Sequence, residues 1–297
     1  MRALRSLLLL FACSILSAPL LAQQATSTST APAVSDPQAV ALVQKALVAL
    51  TGGVAVTDVT LTGTARRIAG SDDESGSATL EADSTSDSRV QLSFSSGNRM
   101  EIHNHAAIPL PGTFPPGGAT TFSQTLQPVG AWSGSDGVLH PVVPPNLSTS
   151  ATWFFPAFTL ANLAASPNYI LSYLGEETLN GQAVLHISAS QPYLINSSGQ
   201  PTTPAPAPSL MQQLSRMDLY FDPTTLLPVA LVFAVHPDNN ASVDIAMQIF
   251  FSNYQAVKSV RVPYHVQELL NNGLVLDLQF SSAILNSGLS TSAFAIQ

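Results

Sequence analysis

Apolar side chains recur at every second residue through most of this chain, and that period fixes the backbone before anything else does. Alternation sends successive side chains to opposite faces of an extended strand, so one face is greasy and the other polar. Val59 and Leu61 alternate with Thr60 and Thr62. Ala78, Leu80 and Ala82 alternate with Thr79, Glu81 and Asp83. Val90, Leu92 and Phe94 alternate with Gln91, Ser93 and Ser95, and Met100 and Ile102 with Arg99, Glu101 and His103. Short polar turns separate these four segments, which makes them antiparallel neighbours. A hairpin is expected over 129–133 and 138–142, turning at Gly134-Ser135-Asp136-Gly137. Strands over 169–178 and 182–189 follow, then five more over 217–221, 227–235, 243–256, 260–270 and 274–285, the last pair turning at Asn271-Asn272-Gly273.

Helical spacing is confined to two places. Ser35 or Asp36 caps a helix with Pro37 in its first turn, Val40, Val43, Leu47 and Leu50 along one stripe, and Gly52-Gly53 as its stop. Residues 152–165 predict one or two helical turns around Pro156, heavy with Trp153, Phe154, Phe155, Phe158, Leu160 and Leu163. The expected fold class is mainly β (α+β), with about a dozen strands and no repeat of fixed period. No linker-like break interrupts the strands from Val54 onward, so 36–297 reads as one domain. A Pro/Gly loop at 107–128 and a Pro/Ser/Thr insertion at 191–208 interrupt it.

The first 22 residues have a basic start (Arg2, Arg5), an apolar run and Ala22 at its end, the pattern of a secretory signal peptide. Cleavage is expected after Ala22, or after Ala18. Residues 23–35 form a Ser/Thr/Pro linker. The chain is thus expected to be exported, to the periplasm or beyond the cell, with no transmembrane helix left after cleavage. Leu10-Phe11-Ala12-Cys13 resembles a lipobox, but the apolar run continues past Cys13, which disfavours a lipid anchor there. Cys13 is the only cysteine, so the mature chain is expected to hold no disulfide. Ten basic residues against 18 acidic, with no basic block, argue against a nucleic-acid partner.

Two stretches carry a family resemblance. One is Asp222-Pro223-Thr224-Thr225-Leu226-Leu227-Pro228, directly after an apolar strand. The other is Phe251-Ser252-Asn253-Tyr254-Gln255-Ala256-Val257 followed by Val260-Arg261-Val262-Pro263-Tyr264. With the opening of one helix and four strands, the chain resembles the periplasmic lipoprotein-sorting and lipid-carrier superfamily of the LolA type. That resemblance implies a single large curled antiparallel sheet, a half-barrel, with an N-terminal helix and a short aromatic helical lid. It also implies a binding protein without a cofactor, holding a lipid or another hydrophobic ligand between sheet and helices, in lipid or lipoprotein trafficking or envelope sensing. Burying a chain there contributes about 0.8 kcal/mol per methylene. The expected lining is Leu61, Leu80, Leu92, Phe94, Met100 and Ile102 from the sheet, with Phe154, Phe155 and Phe158 from the lid; singly, each is also an ordinary core residue.

Two other readings compete. A filled core with an exposed strand edge or apolar patch would make the chain a structural module that meets an envelope protein. Alternatively, Glu101, His103 and His105 lie at i, i+2 and i+4 and share one side of a strand, where they could converge on Zn²⁺ or Cu²⁺ with His140 as a fourth donor. On that strand Met100 and Ile102 take the other side, so these three residues are equally an exposed polar face. Catalytic signatures are lacking: there is no Gly-x-Ser-x-Gly elbow, and Glu176 and Glu177 point to opposite faces. The acidic turn Asp72-Asp73-Glu74 lacks the spacing of a Ca²⁺ loop. Trp132 marks either a ligand rim or a packed turn.

Overall fold

The computed structural model describes residues 34–104, 130–191 and 210–296. The signal-like segment, Cys13, most of the linker, His105 and nearly all of the two expected insertions lie outside them. Helix α1 (Pro37–Thr51) begins where the sequence places it, with the Asp36 carboxylate accepting from the Gln38 N–H at 2.7 Å. It ends at Gly52, whose φ of 63° is left-handed and whose N–H returns to the Val48 carbonyl. Ala39, Leu42, Val43, Ala46 and Leu50 are buried along one stripe.

Thirteen strands follow: β1 (Asp58–Ala69), β2 (Asp72–Asp83), β3 (Ser88–Phe94), β4 (Gly97–His103), β5 (Gly130–Ser133), β6 (Leu139–Pro141), β7 (Ile170–Leu179), β8 (Gln182–Ser190), β9 (Met217–Phe221), β10 (Pro228–Val235), β11 (Ile245–Val257), β12 (Val260–Leu270) and β13 (Gly273–Leu285). Between β6 and β7 lies α2 (Pro156–Ala165), with Pro156 at its start; a short α3 (Leu210–Leu214), which the sequence reading lacked, precedes β9. All thirteen strands form one antiparallel sheet in the order β6-β5-β4-β3-β2-β1-β13-β12-β11-β10-β9-β8-β7. The chain meanders from the middle to one edge, crosses to the far edge through α2, and meanders back. A twisted sheet of this width curls, and this one is a curled, unclosed half-barrel. The edges are blunted: β6 is three residues long and ends in Pro141, and β7 carries a bulge at Tyr173/Gly175.

The core sits on the concave face. Register places Val59, Leu61, Leu80, Val90, Leu92, Leu278, Val266, Ile249, Leu231, Leu219 and Ile187 on that side, and α1 and α2 pack onto it. Phe154 and Phe155, just before α2, have no exposed surface; Phe155 meets Phe158 edge-on at 4.9 Å and Phe154 meets Trp153 edge-on at 5.5 Å.

The parity of β4 is opposite to that expected of a cavity lining. Val90 pairs with Glu101 and Ser88 with His103, so Glu101 and His103 face the concave side, while Met100 and Ile102 face the convex side. The cause is a second, smaller buried group. The 3-10 turn Thr291–Phe294 lies against the outside of the sheet, where Arg89 donates to the Ala293 carbonyl and Asn104 to the Phe294 carbonyl. Ile102, Ala131 and Phe294 are buried there, apart from the main core. Apolar alternation reports burial, not which face is hollow.

Strands β1 and β13 close the sheet at its centre, and Asp58 fastens their ends. Its buried carboxylate accepts from Ser287 N–H (2.7 Å), Ser287 Oγ (2.7 Å), Gly288 N–H (3.0 Å) and Thr57 Oγ1 (3.0 Å). Burial alone would raise the pKa of this carboxyl, but the Ser287, Gly288 and Thr57 hydrogen bonds outweigh it and hold it below the usual carboxylate range. Replacing Asp58 with Ala leaves two backbone N–H groups unpaired and is expected to cost about 2 kcal/mol in denaturant unfolding. The contribution of the wild-type carboxylate fades as pH falls through the acid range, because the folded form releases its proton more readily than the unfolded chain does.

Candidate functional site

A solvent-open cavity of about 210 Å³ lies on the concave side toward the β4–β6 edge. Its covering strap is the segment between β6 and α2. Pro144–Leu147 makes a 3-10 turn, and Asn146 then mimics a strand partner: its Oδ1 accepts from the His236 N–H at 2.7 Å and its Nδ2 donates to the His236 carbonyl at 3.0 Å. Farther along, the Ser88 hydroxyl donates to the Ala151 carbonyl at 2.7 Å, and Ser150 bonds Thr159 at 2.7 Å. The strap is thus tied to β3 at one point and to the end of β10 at another.

Under the strap the apolar wall is Trp132, Trp153, Phe233, Val235, Met247 and Ile249. The polar groups converge from three other places. Glu101 and His103 come from β4, Asp238 from the β10–β11 connection, and Glu268 from β12. Glu101 Oε1 lies 2.7 Å from His103 Nε2. Burial would raise the Glu101 carboxyl, but the hydrogen bond and charge of His103 bring it below its ordinary value. The Glu268 carboxyl is pushed up to about 7, first by burial and then by the negative charge of Glu101. Register sets Glu101, Trp132 and His140 in one row across β4, β5 and β6, and His140 stacks on Trp132 at 4.5 Å.

The expected lining residues fall elsewhere. Leu61, Leu80, Leu92 and Phe94 are on the concave face but buried in the core, and Phe154, Phe155 and Phe158 are packed among them. None of the seven borders this cavity, nor a second one of about 320 Å³ between the start of α1, the end of α2 and β7. Of the metal candidates, Glu101 and His103 are brought together and His105 lies outside the described residues. His140 is spent on Trp132. Among the described residues no group of three or more His, Cys, Asp or Glu side chains is arranged to hold a metal ion. Asp73 is bonded by Arg66 through two nitrogens and Glu74 by Arg99, so two of the three carboxylates there are paired with arginines.

The sequence reading missed Glu268, Trp153 and the 233–249 wall. One signal was present. Val260, Val262, Tyr264, Val266 and Glu268 share a parity, so a lone carboxylate stands on the core-facing side of an apolar strand. A Ser/His/Asp line also went unseen: Ser252 Oγ lies 3.0 Å from His265 Nδ1, and His265 Nε2 lies 3.1 Å from Asp277 Oδ1. It runs across β11, β12 and β13 on the convex face, with the ring nitrogens used in reverse of the hydrolase arrangement. Gln267 also donates to Asp277, and neither cavity touches the line, so it is a cross-strand surface network.

No helix among the described residues is long and apolar enough to cross a membrane. No family model and no curated protein matches the chain. It is similar to solved structures that include a domain assigned to outer membrane lipoprotein sorting from Vibrio parahaemolyticus, at 12% identity over 86% of this chain and 96% of that one, with a TM-score of 0.48. A LolA superfamily protein from Nitrosomonas europaea is 11% identical over 87% of this chain and 97% of that one, with a TM-score of 0.49. A DUF1329 family protein from Desulfovibrio piger is 11% identical over 87% and 96%, with a TM-score of 0.47. The chain's own arrangement, a helix followed by a curled, unclosed antiparallel sheet, is the one expected from its sequence.

Proposed function

We propose that this is an exported, non-enzymatic binding protein that takes a hydrophobic ligand into the concave side of its sheet through the cavity under the strap. The observation that carries this reading is the open cavity on the concave side, walled by Trp132, Trp153, Phe233, Val235, Met247 and Ile249. The signal-like start supports export. The cavity has about the volume of seven liquid waters, so it accommodates a short chain or one end of a longer one. A larger guest requires the strap or α2 to shift.

Both tryptophans of the chain border this cavity, so intrinsic fluorescence reads it directly. Titration with decanol, a neutral ten-carbon probe, is expected to give a saturable change in tryptophan emission and a raised Tm. Absence of both effects would overturn the reading.

A second reading, a structural module with a filled core, is favoured by the complete burial of Phe154 and Phe155 at the centre of the concave face. It expects no saturation by decanol and a partner bound instead at the longer free edge, β7, where Leu174 is exposed.

A further inference from the structure

The cavity has one more property that a purely apolar pocket would lack. Its titratable lining is Glu101, His103, Asp238 and Glu268, with no lysine or arginine. These residues come from three separated parts of the chain, so the sign is a property of the assembled cavity and not of one acidic run. Two carboxylates differ sharply in their surroundings. Glu101 is already engaged by His103 at 2.7 Å. Glu268 stands half-buried on the concave face, with Ile249 and Leu276 as its register neighbours on β11 and β13, and no hydrogen bond to its carboxyl is found among the described residues. A partly buried carboxylate set near a second one and without a hydrogen-bond partner is costly, and the cost is relieved by a cation or a hydrogen-bond donor brought in from outside. Aromatic groups stand in the same cavity, and Trp is the side chain that attracts cations best.

We propose that the cavity selects amphiphiles with a cationic, nitrogen-bearing head, with the ammonium group held by Glu268 and Glu101 beside Trp132 and Trp153 and the chain lying along Phe233, Met247 and Ile249. The inference rests on the binding role proposed above and names the ligand class of that same cavity. The geometry explains why an apolar strand gives up a core position to Glu268. It also sets a selectivity: an anionic head would face three carboxylates with only His103 to oppose them.

The test compares three ten-carbon probes by calorimetry and tryptophan emission at pH 7.5: decyltrimethylammonium, decanol and decanoate. Decyltrimethylammonium is expected to bind about tenfold or more tighter than decanol, and decanoate weaker than both. Glu268→Gln is expected to bring decyltrimethylammonium to the level of decanol. Far-ultraviolet circular dichroism and a cooperative melting curve show separately that the variant is folded. Glu101→Gln is expected to weaken the cationic probe by a smaller factor. Equal binding of all three probes, a preference for decanoate, or an unaltered ammonium affinity in Glu268→Gln would each overturn the ligand class while leaving a hydrophobic binding protein standing. Failure of every probe to bind would overturn the binding role itself, and the ligand class with it.

Discussion

Phe155→Ala is expected to lower the unfolding free energy by about 3–5 kcal/mol, the cost of removing a large aromatic side chain from a site with no exposed surface. Three contributions add. Apolar surface that folding removes from water is lost, a void opens where backbone on both sides is fixed, and the edge-on contact with Phe158 at 4.9 Å disappears. The void cannot collapse easily. Phe155 lies at the boundary between the strap and α2, and Pro156 holds the first turn of that helix. Denaturant unfolding followed by far-ultraviolet circular dichroism would measure the loss, and a melting curve should show a drop of roughly 6 °C or more. Phe155→Leu, which keeps most of the volume, should cost about 1–2 kcal/mol. A loss under 1 kcal/mol for the alanine variant would mean that the aromatic cluster does not hold the concave face together. The vacated space is apolar, so a short alcohol that reaches it should restore part of the stability.

Glu268 gives the second large effect, and it acts through pH. In the unfolded chain its carboxyl releases a proton near 4.5, whereas in the folded protein it keeps that proton to about 7. Between those values the folded state binds more protons than the unfolded one, so stability falls as pH rises through this window. The full difference is about 3 kcal/mol between pH 5 and pH 8, as an upper figure, because water in the cavity screens part of the charge. The groups facing Glu268 are Glu101 and His103 of β4 and Asp238 beyond β10, while β11 and β13 offer only apolar neighbours. Carboxyls held low elsewhere, such as Asp58 and Asp222, lose their contributions only at more acid pH. The wild type minus Glu268→Gln difference therefore isolates the effect. Unfolding free energies at pH 5, 6, 7 and 8 should show the wild type losing ground steadily against the variant. A constant difference across the range would show that Glu268 is solvated like a surface carboxylate.

How legible all this was depends on what kind of signal each feature leaves. Helix α1 was readable because its two ends are written in residue types with a mechanism, Asp36-Pro37 and Gly52-Gly53. Strand β12 was readable to the residue, Val260–Leu270, because its alternation is bounded by tight turns. The face of β4 was not readable. Ile102 is buried on the outside of the sheet, where the turn ending at Phe294, almost two hundred residues later, is tied by Arg89 and Asn104, and no local pattern records that. The cavity was hidden for the same reason: Trp132, Trp153 and Glu268 meet only after the strap crosses the concave face. Seven of the nine residues chosen from the sequence as its lining are apolar enough to be core, and core is where they are, while Met100 and Ile102 lie on the other face.

The pairing of β1 with β13 at the middle of the sheet has a consequence for how such a molecule comes into being. Each wing can zip up hairpin by hairpin from neighbours in sequence, which is fast. The joint between the wings, by contrast, brings together segments more than two hundred residues apart, and β13 is synthesised long after β1. Until it arrives, β1 presents a bare row of backbone donors and acceptors in what will become the interior. Truncation before Gly273 would leave two unjoined wings prone to sticking to other copies, and the last strand acts as the keystone of the arch.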